Sequence, residues 1–231
     1  MKTRITIALA SSAILLIAGS LPAAEFESIF DGKTLKGWKA PVMSYWSVQD
    51  GAITAQSTPE NPCKSNQFIV WQGGDVADFE LKLKFRVRGN GGNSGIQFRS
   101  RIKPNGLAQG YQADILAGGP YLGGVCDEMH SRKGHELLTR NGQKTVIDAT
   151  GKRTATDLKV KATMKPAGEW NDYHILARGQ RIILTINGVK CSELIDREEA
   201  HFDLTGILGL QLRSGKPMKA QFKDIFLKRL P

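Results

Sequence analysis

The chain of 231 residues is poor in cysteine and aromatic residues and has no long helical periodicity. Its three cysteines, Cys63, Cys126 and Cys191, are widely separated and form no C-x-x-C pair, which excludes a zinc ribbon or knuckle. In an oxidising compartment they allow one disulfide and one free thiol, and their spacing does not choose the pair. Without a segment that keeps apolar residues at a 3.6-residue period, a helical bundle is excluded. The long apolar run, residues 5–17, is short for a span of roughly 20 residues. It follows the basic stretch Met1-Lys2-Thr3-Arg4 and precedes the small residues Gly19, Ser20, Ala23 and Ala24. That order reads as a secretory signal peptide over residues 1–24. Periplasmic or secreted localisation is expected, with no stable membrane insertion after cleavage. Residues 25–231 then read as a single domain, long enough to bury roughly 70% of its unfolded surface without staples.

Acidic residues are also scarce, with 22 Asp and Glu against 32 Lys and Arg and a formal net charge of +10. Much of the excess lies between Ser131 and Lys165. Aromatic residues are not interleaved there, so the tract reads as a solvated face and no nucleic acid partner is expected. The glycines of residues 89–95 look at first like a phosphate loop. They lack the Lys-Ser/Thr of a P-loop, and an alternating stretch follows them where a helix would have to begin. They are expected to turn the chain with positive φ and to bind no nucleotide.

What the sequence has in quantity is strand signal. In residues 78–88, DFELKLKFRVR, Phe79, Leu81, Leu83, Phe85 and Val87 alternate with charged residues, the pattern of a half-buried strand. Asp50-Gly51 and Asn187-Gly188 mark hairpin turns. Residues 172–178, 205–213 and 218–227 add further strands. The expected fold is all-β, an antiparallel β-sandwich or jelly roll, with Ile96, Phe98, Leu208, Leu210 and Leu212 joining the β-core. Residues 121–168 read as a long, irregular, basic insertion over one end of the sandwich.

The same alternation assigns an outward polar face. With Ile96 and Phe98 buried, Gln97 and Arg99 face out. Burying Ala113 and Ile115 turns out Gln112 and Asp114, and burying Leu208, Leu210 and Leu212 turns out Gln211 and Arg213. Amides and guanidinium groups suit sugar hydroxyls and carbonyls. A second cluster, Cys126-Asp127-Glu128-Met129-His130, offers acid, base or metal ligands, with Asp127, Glu128 and His130 as the set for a possible divalent ion. His135 is close to it. Trp170 suits a core position or a sugar platform, and mid-strand His174 suits a structural role.

One family shares these landmarks in order. Phe30-Asp31-Gly32-Lys33-Thr34-Leu35-Lys36-Gly37-Trp38 resembles the opening motif of the 3-keto-disaccharide hydrolase domain family. The likeness continues through Trp46–Gly51, Asp78–Leu81, Gly92–Ile96, Gly110–Gln112, Lys165–Asn171, Asn187–Val189, Gly206–Gln211 and Phe222–Ile225. The resemblance implies a concanavalin-like jelly roll with a sugar site on its concave sheet, and a carbohydrate or 3-keto-glycoside partner. The activity it implies is cleavage of glycosides oxidised at C3. For that chemistry Asp114 or Glu128, with His130 as a third option, is the expected base. Arg99 or Arg213 is the expected enolate stabiliser, with Gln97, Gln112, Gln211 and His130 as substrate contacts. The chain departs from the family at Arg213, where members often carry histidine, and in a longer, more basic tract from Met129 to Thr163. The same jelly roll also supports non-catalytic, lectin-like binding modules.

Overall fold

The computed structural model describes residues 25–130, 132 and 134–231, so the expected signal peptide lies outside the described residues. The chain forms β1 (Glu27–Ser28), β2 (Trp38–Lys39), β3 (Trp46–Gln49), β4 (Ala52–Ser57), β5 (Gln67–Trp71) and β6 (Phe79–Gly89). It continues through β7 (Ser94–Ile102), β8 (Ala108–Ile115), β9 (Val125–His130), β10 (Gly134–Thr139), β11 (Gln143–Ile147) and β12 (Arg153–Asp157). It ends with β13 (Asn171–Arg178), β14 (Arg181–Ile186), β15 (Val189–Asp196), β16 (Ile207–Leu212) and β17 (Met218–Arg229). A ten-stranded sheet runs β12-β11-β15-β14-β13-β6-β17-β4-β3, with β1 against β17. A seven-stranded sheet runs β10-β9-β8-β7-β16-β5-β2. Among the described strands every pairing is antiparallel except β11 with β15. No helix among the described residues is long and apolar enough to cross a membrane.

The alternation of β6 sets the core. Phe79, Leu81, Leu83, Phe85 and Val87 are buried, and the charged residues between them lie on the outer face. From the opposing sheet come Ile96, Phe98, Leu208, Leu210 and Leu212, all in the same apolar cluster. Phe79 and Phe98 meet edge to face at 5.9 Å, so the two layers touch through aromatic rings. The chain passes from one sheet to the other at the glycine turn. Gly89 there has φ 77°, and a Cβ on it would lie 2.4 Å from the Pro217 carbonyl oxygen. As expected, a strand and not a helix follows these glycines.

The course of the chain after β8 corrects one expectation. The tract expected to be an irregular insertion contains four strands. β9 and β10 extend the seven-stranded sheet, while β11 and β12 extend the ten-stranded one. Val125, Leu138 and Ile147 anchor three of them in the core, whereas β12 is exposed along its length. The three cysteines are all free and buried, with no disulfide. The Cys191 thiol donates to the Leu184 carbonyl and the Cys126 thiol to Asp114 Oδ2, so each serves as a buried donor.

Arg99 does not face outward. A β-bulge between Phe98 and Ser100 interrupts the alternation, and Arg99 takes φ 45° within it. Its guanidinium turns toward the ten-stranded sheet. Nε donates to Ala77 O at 2.8 Å, Nη1 to Gly179 O at 2.6 Å and Nη2 to Asp78 Oδ1 at 2.9 Å. With its side chain 1% exposed, Arg99 braces the two layers and cannot touch a ligand on the outer face. Replacing it removes the donors of the Ala77 and Gly179 carbonyls and leaves Asp78 Oδ1, among the described residues, with the Gly179 N–H. Arg99→Met should therefore cost about 3 kcal/mol of stability, read as a lower urea midpoint at unchanged slope. An unchanged midpoint would refute the brace.

Candidate active site

The outer face of the seven-stranded sheet is built by period two. On β7 it carries Gly95 and Gln97, on β8 Gln112 and Asp114, on β9 Cys126 and Glu128, and on β16 Gly209 and Gln211. The register sets them side by side: Gln97 opposite Gln112 and Gly209, Asp114 opposite Gly95, Glu128 opposite Gly110. Phe68 of β5 lies beside Gln211. Gly95 makes the packing possible, because a Cβ there would lie 2.5 Å from Gln112 Cδ. The Gln112 amide thus lies across the glycine and reaches Glu128, donating from Nε2 to Oε1 at 3.2 Å.

These polar side chains are shielded from water, not solvated. Gln97 and Gln211 are 0% exposed, Gln112 2%, Asp114 and Glu128 5% each. Six of their atoms have no hydrogen-bond partner among the described residues: both amide atoms of Gln97 and of Gln211, Gln112 Oε1 and Asp114 Oδ1. An unmet buried polar group costs roughly 1–3 kcal/mol, so such a concentration on adjacent strands marks a surface shaped for something polar.

Charge is arranged around them. Burial raises the Asp114 carboxyl to about 6, against the Cys126 thiol hydrogen bond that lowers it, while the nearby Glu128 charge raises it further. His135 of β10 places Nδ1 3.3 Å from Glu128 Oε1, and this bond holds its pKa above the usual histidine value. The Tyr121 ring stacks on His135 at 6.3 Å. Arg213 has no ion-pair partner among the described residues, and its charge acts on His135. Two pockets of about 250 and 220 Å³ share Glu128, His135 and Arg213 as common walls. A larger cleft of about 880 Å³ lies away from this face, between Ala117–Leu122 and Lys161–Lys165. Its one carboxylate, Asp157, is tied to Lys159, so the larger space carries less chemistry.

The structure brings together Gln97, Gln112, Asp114, Glu128, Gln211 and Arg213. It separates Arg99, for the reason given, and Asp127. Adjacent residues of a strand point to opposite faces, so Asp127 and Glu128 cannot share one ion. Asp127 instead accepts from Arg132 Nη1 at 2.9 Å, and Arg132 also binds Asp196 and Glu198. The His130 side chain lies outside the described residues. Among the described residues no three His, Cys, Asp or Glu side chains converge as metal ligands. His135 is the residue that the pattern undervalued; only its strand pairing with β9 puts it beside Glu128. Trp170 lies on the opposite sheet between Arg86 and Lys223, each 4.5 Å from its ring, and His174 pairs with Glu80 at 2.9 Å.

Residues 25–228 match a family profile described as the 3-keto-alpha-glucoside-1,2-lyase-like domain. A 3-keto-disaccharide hydrolase of Bacteroides thetaiotaomicron is 32% identical over 185 residues, 68% of this chain and 58% of the relative. The chain therefore spans less than two thirds of that relative. Among solved structures, a provisionally assigned glycosyl hydrolase of Parabacteroides distasonis superposes with a TM-score of 0.60 at 20% identity, covering 89% of this chain and all of that one. The carbohydrate-binding module CBM66 of Bacillus subtilis gives 0.58 at 15% identity, covering 83% and 95%. At these identities the two structures share the fold.

A buried carboxyl raised to about 6 weakens the fold as it ionises. With an unfolded value near 3.8, Asp114 leaves stability intact below about pH 4 and removes it as pH rises through 6. Asp114→Asn should accordingly match wild type near pH 4 and exceed it at pH 8 by on the order of 2–3 kcal/mol. Denaturation curves at the two pH values check this, and a variant less stable than wild type at pH 8 would contradict it.

Proposed function

Because the chain belongs to the 3-keto-alpha-glucoside-1,2-lyase-like family, we propose that its polar sheet face cleaves glycosides bearing a ketone at C3 of the sugar ring. The observation that carries the reading is the set of six unpaired polar atoms around a carboxyl of raised pKa. Amides left without partners suit ring hydroxyls, each able to donate and accept. A carboxylate with a pKa near 6 is a stronger base than an ordinary aspartate and is still ionised at neutral pH.

The chemistry follows from the ketone. A C3 carbonyl makes the C2 hydrogen acidic. Asp114 Oδ1, the free oxygen of that carboxylate, takes the C2 proton, and the electron pair forms the C2–C3 enolate. Arg213 lines the same pocket, and its guanidinium stabilises the enolate oxygen. Collapse of the enolate expels the C1 oxygen and leaves a C1–C2 double bond beside the ketone. His135, whose pKa the Glu128 hydrogen bond raises, gives a proton to the departing oxygen. Release at this stage is a lyase reaction, and addition of water across C1–C2 makes the net change a hydrolysis. Glu128 orients both His135 and Gln112 without entering the bond changes itself. A purely binding module would use the amides, but would have no use for a carboxyl of raised pKa beside a carboxylate-bound histidine.

Cleavage of a 3-keto disaccharide should exceed that of its unoxidised parent by at least a thousandfold in kcat/KM, since the parent has no acidic C2 hydrogen. Asp114→Asn should lower kcat roughly a hundredfold or more. The wild-type rate should rise with pH through an apparent pKa near 6, and the variant should lose that limb. Equal rates on the two sugars would point to an ordinary glycosidase and refute the reading.

A further inference from the structure

The two pockets that meet at Glu128, His135 and Arg213 differ in chemistry. One is walled by Asn93, Gln112 and Asp114. The other is walled by Phe68, Leu107 and Ala108. The same division runs along β8, whose outward residues are Ala108, Gly110, Gln112 and Asp114. At about 3.4 Å per residue these four span roughly 20 Å, passing from apolar through small to polar. Glu128 stands in register with Gly110, at the boundary between the halves. Each pocket is smaller than the roughly 300–1,000 Å³ of a drug-sized site, so each suits about one ring.

We propose that this site takes 3-keto-α-glucosides whose leaving group is a small apolar ring and not a second sugar. The inference rests on the reaction proposed above and adds the orientation of the substrate. The oxidised ring belongs in the polar pocket, beside the base and the unpaired Gln112 Oε1. The scissile bond then crosses Glu128, His135 and Arg213, and the leaving group enters the apolar pocket. A sugar there would turn hydroxyls onto Phe68, Leu107 and Ala108, whose side chains offer no partner, at a cost an apolar ring does not incur. The one amide on that wall, Asn66, already accepts from the Ser214 N–H through Oδ1. Phe68 is 2% exposed and forms part of a floor, not an open platform on which a sugar ring stacks.

The test compares two substrates whose leaving groups are both secondary or primary alcohols of similar reactivity: the 3-keto forms of cyclohexyl α-glucoside and of an α-linked glucose disaccharide. Wild type should favour the cyclohexyl compound at least tenfold in kcat/KM. Leu107→Asn should lower that value about tenfold and shift the ratio of the two substrates toward the disaccharide. The Leu107 backbone is held by Asn105 Oδ1 and the Lys103 N–H, so the turn should survive the change. Calorimetric binding of the unoxidised cyclohexyl α-glucoside, against the parent disaccharide, reads the same preference without turnover. Turnover of both sugars with no preference, or equal losses in the variant, would overturn the inference and leave the reaction standing. A binding preference lost in Leu107→Asn, with no cleavage of either 3-keto sugar, would support the inference and sink the reaction.

Discussion

Polar groups buried without partners are the constraint around which the site is organised. Gln97, Gln112, Gln211 and Asp114 crowd one sheet face, and the protein meets only part of their hydrogen-bonding capacity. Such an arrangement opposes folding, and it persists only because rigid neighbours over-determine it. β7, β8 and β16 lie at the middle of the seven-stranded sheet, where each is paired on both sides. Their inward residues, Ile96, Phe98, Ala113, Leu208 and Leu210, are locked into the apolar core. The side chains on the opposite face have little freedom to turn and satisfy one another.

Electrostatics then divides the labour. Asp114 and Glu128 are carboxylates on neighbouring strands with different surroundings. Burial pushes Asp114 toward its neutral form, against the Cys126 thiol donor that favours the carboxylate. Glu128 has an amide and an imidazole, which compensate its charge. Environments that separate two carboxyl groups in this way are how one site supplies both a base and a support for an acid. Farther from the reacting face, Arg132 binds Asp127, Asp196 and Glu198, and the Tyr111 hydroxyl donates to Asp196 at 2.6 Å. This network ties the hairpin that carries Glu128 and His135 to the end of β15, linking site geometry to the opposing sheet.

Much of this was legible in the residues. The alternation of β6, β8, β16 and the first half of β7 carried the core and, by parity, the outward Gln97, Gln112, Asp114, Gln211 and Arg213. Parity fails where the register breaks, and Arg99 is the case. Its bulge has a trace in the sequence, since glycines flank it on both neighbouring strands. A Cβ on Gly110 would lie 2.6 Å from Ser100 Oγ, and one on Gly206 would lie 2.4 Å from Ser100 O. One sequence shows the glycines but not that they close on the same residue. β9 to β12 were missed because they are short, charged and paired at long range, β11 running parallel to β15. That error hid the opposite facing of Asp127 and Glu128 and the approach of His135.

The central claim is that cleavage begins with removal of the C2 proton. A 3-keto-α-glucoside carrying deuterium at C2, compared with its unlabelled form at initial rates, addresses that step alone. The account predicts a normal primary isotope effect on kcat/KM, well above unity. A ratio of one, with the deuterium retained at C2 of the released sugar, would place the C2 hydrogen outside the reaction and contradict it.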